Sequence, residues 1–289
     1  IERSLIYSGC MIKTIFICLF LFTIQASSQV QWYQPPGWNT GLPKSMQAFH
    51  TNQSWNGVPM NASYCIFDPT DPSIQVKIKY SPGVSKTLTQ WIEEEPNQVY
   101  LIINAGYFDM SANTSIVLIK NNGTVITPNP YSATVSYPLD NKTITYFPTR
   151  AAFGFYANRT AETAWVYSIN QNNSAVYSYP QPSENCFGCP AQPTPNATFP
   201  PGGSYWNVTD AIGSGPILMK NNNIFVSWQQ EVFDGGISEQ RNPRTAICVT
   251  KDGKIITLVV DGRNPESIGL HLIEVAQIMQ SLGCKDAMN

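Results

Sequence analysis

Thr245-Ala246-Ile247-Cys248-Val249-Thr250, then Lys251-Asp252-Gly253, then Lys254-Ile255-Ile256-Thr257-Leu258-Val259-Val260 is the stretch that decides the fold. Two apolar runs rich in β-branched residues flank a short turn whose Asp and Gly tolerate positive φ, the pattern of a β-hairpin. The form recurs twice upstream. Residues 115–127 turn at Asn121-Asn122-Gly123, and residues 216–227 turn at Asn221-Asn222-Asn223. Three hairpins predict a β-rich core.

Past the last hairpin the period changes. Leu272, Val275, Ala276, Met279 and Leu282 fall at helical spacing, Asn264-Pro265-Glu266 precedes them, and Gly283 follows as a stop. Strands first and one amphipathic helix late predict an α+β fold: a β-rich mixed sheet built from hairpins, with the helix packed on it. Between residues 178 and 203 the chain is proline-rich and aperiodic, which predicts a long loop.

The N-terminal end has its own signature. Residues 11–28 carry one lysine, an apolar centre and a small polar exit, which reads as a secretory signal peptide too short to span a bilayer. Residues 1–10 precede Met11 and read as upstream sequence. The product is expected to be secreted or periplasmic, with no stable membrane anchor, and residues 29–289 to form its functional domain. Cys65, Cys186, Cys189, Cys248 and Cys284 lie in that part, an odd set that leaves at least one free thiol or an intermolecular bridge. Cys186-Phe187-Gly188-Cys189 has no second pair and no nearby histidine. It reads as a local disulfide pinning the proline-rich loop rather than half a metal site. Sequons recur between Asn52 and Asn207.

Composition removes whole function classes. With 17 Lys and Arg against 19 Asp and Glu and no basic run, the chain lacks the electrostatic footprint of a nucleic-acid binder. The two histidines, His50 and His271, sit in no recognisable motif, and neither a nucleophile elbow, a phosphate-cradling Gly-Lys-Ser/Thr loop nor a His-Glu-x-x-His is present. No cofactor and no metal ligand set are expected. Chemistry therefore falls to carboxylates and arginines.

Polar clusters stand where apolar runs end. Val99-Tyr100-Leu101-Ile102-Ile103 runs into Asn104-Ala105-Gly106-Tyr107-Phe108-Asp109; a second cluster is Gly213-Ser214-Gly215-Pro216. The third joins Arg241-Asn242-Pro243-Arg244-Thr245 to Val260-Asp261-Gly262-Arg263. Singly, each is explained as a turn. In this order, followed by a helix ending in Ser-Leu-Gly-Cys-Lys-Asp-Ala, they resemble the phosphodiester glycosidase domain family over residues 104–289.

The resemblance implies an enzyme that cuts the bond between a sugar's anomeric carbon and a phosphate, acting on a carbohydrate or sugar-phosphate. In the family pattern the helix is followed by Asn-Leu-Asp and a glycine run to serine, whereas this sequence stops at Asn289; the domain is expected to be incomplete there. A phosphate leaving group needs its charge neutralised, which the planar arginine fork does well. Arg244 and Arg263 are the candidates, with Arg241 a weaker one; structural ion pairs with Asp261 or Glu266 are the alternative. An oxocarbenium-like centre needs carboxylates. Asp261, which ends an apolar strand, is the first choice, followed by Glu274 and Asp109, the latter equally suited to capping a turn. Asn104, Tyr107 and Thr245 are candidate substrate contacts. Gly106, Gly213, Gly215 and Gly262 either let backbone approach the ligand or satisfy their turns. A non-catalytic carbohydrate-binding protein and a metal-dependent phosphodiesterase are the competing readings.

Overall fold

All three expected hairpins form, and their turn residues explain why. Asn121 pairs with Thr124 across Asn122 (φ 47°) and Gly123 (φ 77°), and Lys220 pairs with Asn223 across Asn221 (φ 51°) and Asn222 (φ 67°). Two-residue hairpin turns that match the twist of their strands need positive φ at both central positions, which Asn and Gly tolerate best. In the third, the Thr250 N–H donates to the Lys254 carbonyl at 2.8 Å and Gly253 takes the left-handed conformation (φ 82°).

The structure is a computed structural model that describes residues 30–170 and 173–289; the signal peptide read at residues 11–28 lies outside them. The strands build two seven-stranded sheets. The first has the spatial order β1 (Met46–Thr51), β2 (Ala62–Phe67), β17 (Ile255–Val260), β16 (Arg244–Thr250), β18 (Cys284–Met288), β14 (Ile217–Lys220) and β15 (Asn223–Ile224). The second runs β12 (Ser204–Tyr205), β11 (Asn173–Tyr179), β10 (Ala161–Asn170), β9 (Arg150–Phe155), β13 (Asp210–Gly213), β5 (Ile119–Asn121) and β6 (Thr124–Thr127). Two ribbons stand apart, β3 (Phe108–Asp109) with β4 (Thr114–Ser115) and β7 (Ala133–Tyr137) with β8 (Lys142–Tyr146). Short helices α1 (Leu88–Glu93) and α2 (Gly235–Glu239) precede the late helix α3 (Leu272–Ser281).

Where one mixed sheet is expected, two form, and the pairings between these strands are antiparallel. Most connections are hairpins, which pair neighbours antiparallel by construction. The α3 connection is a crossover within the first sheet. β17 and β18 both pair antiparallel with β16, so they run in the same direction on either side of it, joined by the helix.

Side-chain alternation along β16 and β17 builds two cores at once. Ala246, Cys248, Leu258 and Val260 face the helix and meet Leu272, Val275, Ala276 and Met279. Val249 and Ile255 face the second sheet and pack with Phe153 and Trp165. The far side of that sheet, Ala152, Ala164 and Val166, is covered by Trp206 and Val208. The layers are therefore helix, sheet, sheet and a covering segment.

Two features differ from or refine the reading of the sequence. The apolar run 99–103 joins neither sheet, and Tyr100 and Leu101 are 37% and 38% exposed. It lies beside β2 and β17, whose edges are already paired on both sides, so no strand edge is open to it. Residues 180–203 form the expected loop, with Cys186 bonded to Cys189. Tyr146 donates to the Cys189 carbonyl at 3.2 Å, tying the loop to the β7–β8 ribbon. A second disulfide, Cys248–Cys284, joins β16 to the start of β18, and Cys65 is the buried free thiol, which burial pushes up to about 12.

The Cys248–Cys284 bond closes a loop 36 residues apart in sequence that contains the whole β17–α3 unit. Replacing both cysteines with alanine is expected to lower unfolding stability by about 3–4 kcal/mol. Urea unfolding of the parent and the double variant under oxidising conditions checks this; equal midpoints would remove the bond from the account of stability.

Candidate active site

The β16–β17 hairpin begins at Arg244 and ends at Val260, which pair with each other, so residues flanking both strands emerge side by side. Across from them lie Ile212 at the end of β13 and Ser214 just beyond it. Between the two sets is a cleft of about 900 Å3. Of the residues singled out from sequence, it brings together Asn104, Gly106, Tyr107, Arg244, Thr245, Asp261 and Arg263. Thr245 and Val259 are paired and face away from the helix; Asp261, two residues beyond Val259, keeps that direction and enters the cleft.

Asp261 is exposed and oriented. Its Oδ2 accepts from Asn61 Nδ2 at 2.6 Å, its N–H donates to the Asn61 carbonyl at 2.9 Å, and its carbonyl accepts from Ser267 Oγ at 2.8 Å. Thr245 Oγ1 donates to Asn104 Oδ1 at 2.8 Å, and both residues line the cleft.

The two arginines occupy different depths. Arg244 is buried; its Nε donates to the Leu270 carbonyl at 3.0 Å and its Nη2 to the Gln240 carbonyl at 2.7 Å. Burial pushes its pKa down, while nearby Tyr107 acts in the opposite sense. These bonds to carbonyls fix the position of the guanidinium. Arg263 is exposed at the rim, in the left-handed region (φ 64°), with Nη2 donating to Asn242 Oδ1 at 3.2 Å.

Tyr107 forms part of the cleft's floor. Its hydroxyl donates to the Gly215 carbonyl at 2.9 Å, and burial raises its pKa, with Glu231 adding to the shift and Arg244 and Arg150 opposing it. The turn beneath is internally satisfied. Gly213 N–H donates to the Leu118 carbonyl (2.7 Å), Ser214 N–H to the Ala151 carbonyl (3.1 Å) and Gly215 N–H to the Asn289 carbonyl (2.8 Å). These three amides are thus spent on the fold rather than offered to an anion. The glycines answer to packing: a Cβ on Gly215 (φ 130°) would sit 2.8 Å from Glu231 Oε2, and one on Gly106 (φ 62°) 3.0 Å from Val117. Gly213 and Gly262 would meet the Leu118 and Pro243 backbones at 2.7 and 2.6 Å.

The other expected groups lie outside the cleft. Glu274 grips Arg241 at two points, 2.7 and 2.8 Å, and its Oε2 accepts from the His271 N–H at 2.9 Å at the start of α3. Both residues are thereby committed to holding the helix terminus. Asp109 accepts from the Ser111 hydroxyl and from the Ser111 and Ala112 amides, which hold its carboxyl below the usual range. It caps its turn, the alternative open to it from sequence.

The structure adds groups that spacing does not reveal. Asp234, a second carboxylate lining the cleft, accepts from the Gly236 N–H at 2.6 Å at the start of α2. Asn61 reaches Asp261 from 200 residues away. Beneath the floor, Glu231 is fully buried: Oε2 accepts from the Ala151 N–H (2.8 Å), while Oε1 accepts from the Ile217 N–H (2.8 Å), Ser227 Oγ (2.6 Å) and Trp165 Nε1 (3.2 Å). Burial pushes its carboxyl up; the donors and Arg150 oppose that shift. A local signal for Glu231 is lacking, since its partners come from four separate segments.

Because both Glu231 oxygens face donors, an amide cannot replace the carboxylate without setting its NH2 against another N–H or O–H. Glu231→Gln is therefore expected to cost about 3 kcal/mol or more. Chemical denaturation would measure it, and a loss under about 1 kcal/mol would show that the network tolerates an unmatched donor.

Comparison with known proteins follows the same lines. A hypothetical protein from Synechocystis, solved by crystallography, superposes with a TM-score of 0.53 at 18% identity, covering 85% of this chain and 56% of that one. It shows a shared fold, and the present chain spans just over half of its length. The catalytic domain of zebrafish N-acetylglucosamine-1-phosphodiester alpha-N-acetylglucosaminidase, auto-inhibited by its pro-peptide, gives a TM-score of 0.48 at 14% identity, covering 90% and 74%. Comparison with curated proteins yields no match. The phosphodiester glycosidase family model matches residues 97–289, the segment that contributes every residue lining the cleft, and the chain belongs to the phosphodiester glycosidase family.

Proposed function

We propose that this protein hydrolyses a sugar 1-phosphodiester at the anomeric carbon–oxygen bond, releasing the sugar and a phosphate monoester. The observation that carries the reading is the meeting, in one cleft, of the Asn61-oriented Asp261 carboxylate with Arg244 and Arg263. Family membership supports phosphodiester glycosidase chemistry in general.

The reaction divides between these groups. Water adds its oxygen to the anomeric carbon, the bond to the phosphate oxygen breaks with its electron pair going to the phosphate, and the water proton leaves to solvent. Positive charge grows on the sugar ring as the bond stretches, and Asp261 supplies the opposing carboxylate. Negative charge grows on the leaving oxygen. Arg263 at the rim can meet it in a fork, with the Arg244 charge beneath. A phosphate monoester leaves without strong protonation, consistent with a cleft lined by arginines rather than histidines. Asn104 and Thr245 then contact the sugar hydroxyls.

Secretion belongs to the same proposal. The apolar leader at residues 11–28 and the Cys186–Cys189 and Cys248–Cys284 disulfides support an extracytoplasmic site of action. Among the described residues no helix is long and apolar enough to cross a membrane.

Hydrolysis in 18O-water is expected to place the label in the sugar; label in the phosphate would mean P–O cleavage and overturn the assignment. Asp261→Asn is expected to lower kcat by roughly 100-fold or more with unchanged melting temperature, whereas Glu274→Gln leaves turnover near the parent value. The reverse pattern would move the catalytic carboxylate to α3. Asn61→Asp sets two carboxylates side by side, which resist carrying both charges, so the acid limb of the activity profile is expected to move up by about one pH unit or more. An unmoved limb would mean that Asn61 does not govern Asp261.

A further inference from the structure

The face of the first sheet that turns toward the second carries successive rows of side chains, fixed by register. Met46, Phe67 and Ile255 form one row; Ala48, Cys65 and Thr257 form the next; His50, Ser63 and Val259 follow, with His50 Nδ1 3.0 Å from Ser63 Oγ, and Asp261 lies one step further along the same face. The first row is packed against Ala151, Phe153 and Trp165. Beyond it the sheets part. A groove of about 330 Å3 opens over the following rows, with Trp38, Leu42 and Leu101 as its other walls. That volume lies within the usual range for small-ligand sites, roughly 300–1,000 Å3.

Three properties of this groove point to a ligand. Ile103 and Val259 line both the groove and the cleft, so the two adjoin. Its lining contains no Asp, Glu, Lys, Arg or His, whereas the adjoining cleft contains Asp234, Arg244, Asp261 and Arg263. Its walls also keep large apolar side chains in water: Trp38 is 47% exposed and Leu101 38%. A contiguous apolar surface left open beside a polar cleft marks a binding groove more often than a defect of packing.

We propose that the groove is the aglycone subsite and takes the alkyl chain of a sugar 1-phosphodiester whose phosphate lies at the arginines. This rests on the glycosidase reading of the cleft. Hydroxyls from Ser63, Tyr64, Tyr100 and Thr257 interrupt a lining that is otherwise apolar, so an alkyl chain matches more of its surface than a hydroxylated sugar ring does. The non-sugar part of the substrate is the part that fits. The bond to be cut lies beside Asp261, the phosphate follows, and the chain continues over Val259 toward Ala48 and Cys65.

Calorimetric titration of the full chain with octyl phosphate and with methyl phosphate tests binding apart from turnover. Octyl phosphate is expected to bind at least ~10-fold tighter, the gain from about two buried methylenes at roughly fourfold each. Octyl and methyl diesters of N-acetylglucosamine 1-phosphate, compared as substrates, should show the same ratio in KM. Leu101→Asp, at an exposed wall position outside the cleft, is expected to remove the chain-length preference while leaving methyl diester hydrolysis unchanged; Ala48→Trp should do the same by filling the groove. Equal binding of the two phosphates, or a preference that survives Leu101→Asp, overturns the proposal and leaves the glycosidase reading standing. Tight octyl phosphate binding that Leu101→Asp removes, with neither diester cut, supports the groove and overturns the reading of the cleft.

Discussion

A carboxylate buried between two sheets sets the terms for this molecule. Glu231 accepts from Ala151 on β9 of one sheet and from Ile217 on β14 of the other, and from Trp165 and Ser227 between them. Removing a carboxylate from water is costly, and only close donors on both oxygens compensate. The position of Glu231 is therefore coupled to the separation of the two sheets at that point. Gly215 follows from the same constraint, because the space a side chain would need is occupied by Glu231 Oε2. With Gly215 placed, its carbonyl receives Tyr107 and its N–H meets the Asn289 carbonyl. The floor of the cleft is thus a consequence of how one buried charge is satisfied.

Cationic groups gather around that floor. Arg150 stacks over Phe233 at 4.3 Å, Phe233 lies against Tyr107 with ring centroids 5.5 Å apart, and Arg244 is close enough to affect the Tyr107 hydroxyl. Desolvation lowers the pKa of both arginines, yet a guanidinium starts so high that it keeps its proton at ordinary pH. In a cleft walled by protein such charges are screened less than at an open surface. An anion entering it meets a field arranged before it arrives, which is what the proposed loss of phosphate requires.

How much of this could be read from the sequence depended on whether the determinant was local. Hairpin turns were legible because two or three residues must adopt positive φ, and Asn122-Gly123, Asn221-Asn222 and Gly253 supply it. Helix α3 was legible because its buried face repeats at helical spacing. The grouping of Asp261 with Arg244 and Asn104 follows from the family resemblance carried by the order of the motifs, not from the properties of the single clusters. What sequence could not give were partners brought together by the tertiary fold. Glu274 and Asp109 stand behind Asp261 as candidates in the sequence, and nothing local shows that Arg241 binds the one and Ser111 the other. Asn61 meets Asp261 from 200 residues away, and of the Glu231 partners only Ser227 is close in the chain, with Ala151 and Trp165 80 and 66 residues away. The run 99–103 is apolar yet joins neither sheet, because β2 and β17 beside it are already paired on both sides.

The register of one hairpin links the fold to the site. Thr250 pairs with Lys254 across a three-residue turn, and from there each pairing is fixed up to Arg244 opposite Val260. Side chains alternate, so this count decides that Ala246, Leu258 and Val260 face α3 while Thr245, Val259 and Asp261 face the cleft. A slip of one residue in β17 would exchange the two sets, burying a carboxylate against the helix and turning Val260 toward the cleft. The cost of that exchange, an unpaired charge among Leu272, Val275 and Met279, far exceeds what the turn alone contributes to register. The apolar face beneath α3 therefore does more than stabilise the sheet. By excluding Asp261 from one side of β17 it commits the carboxylate to the other, where Asn61 receives it.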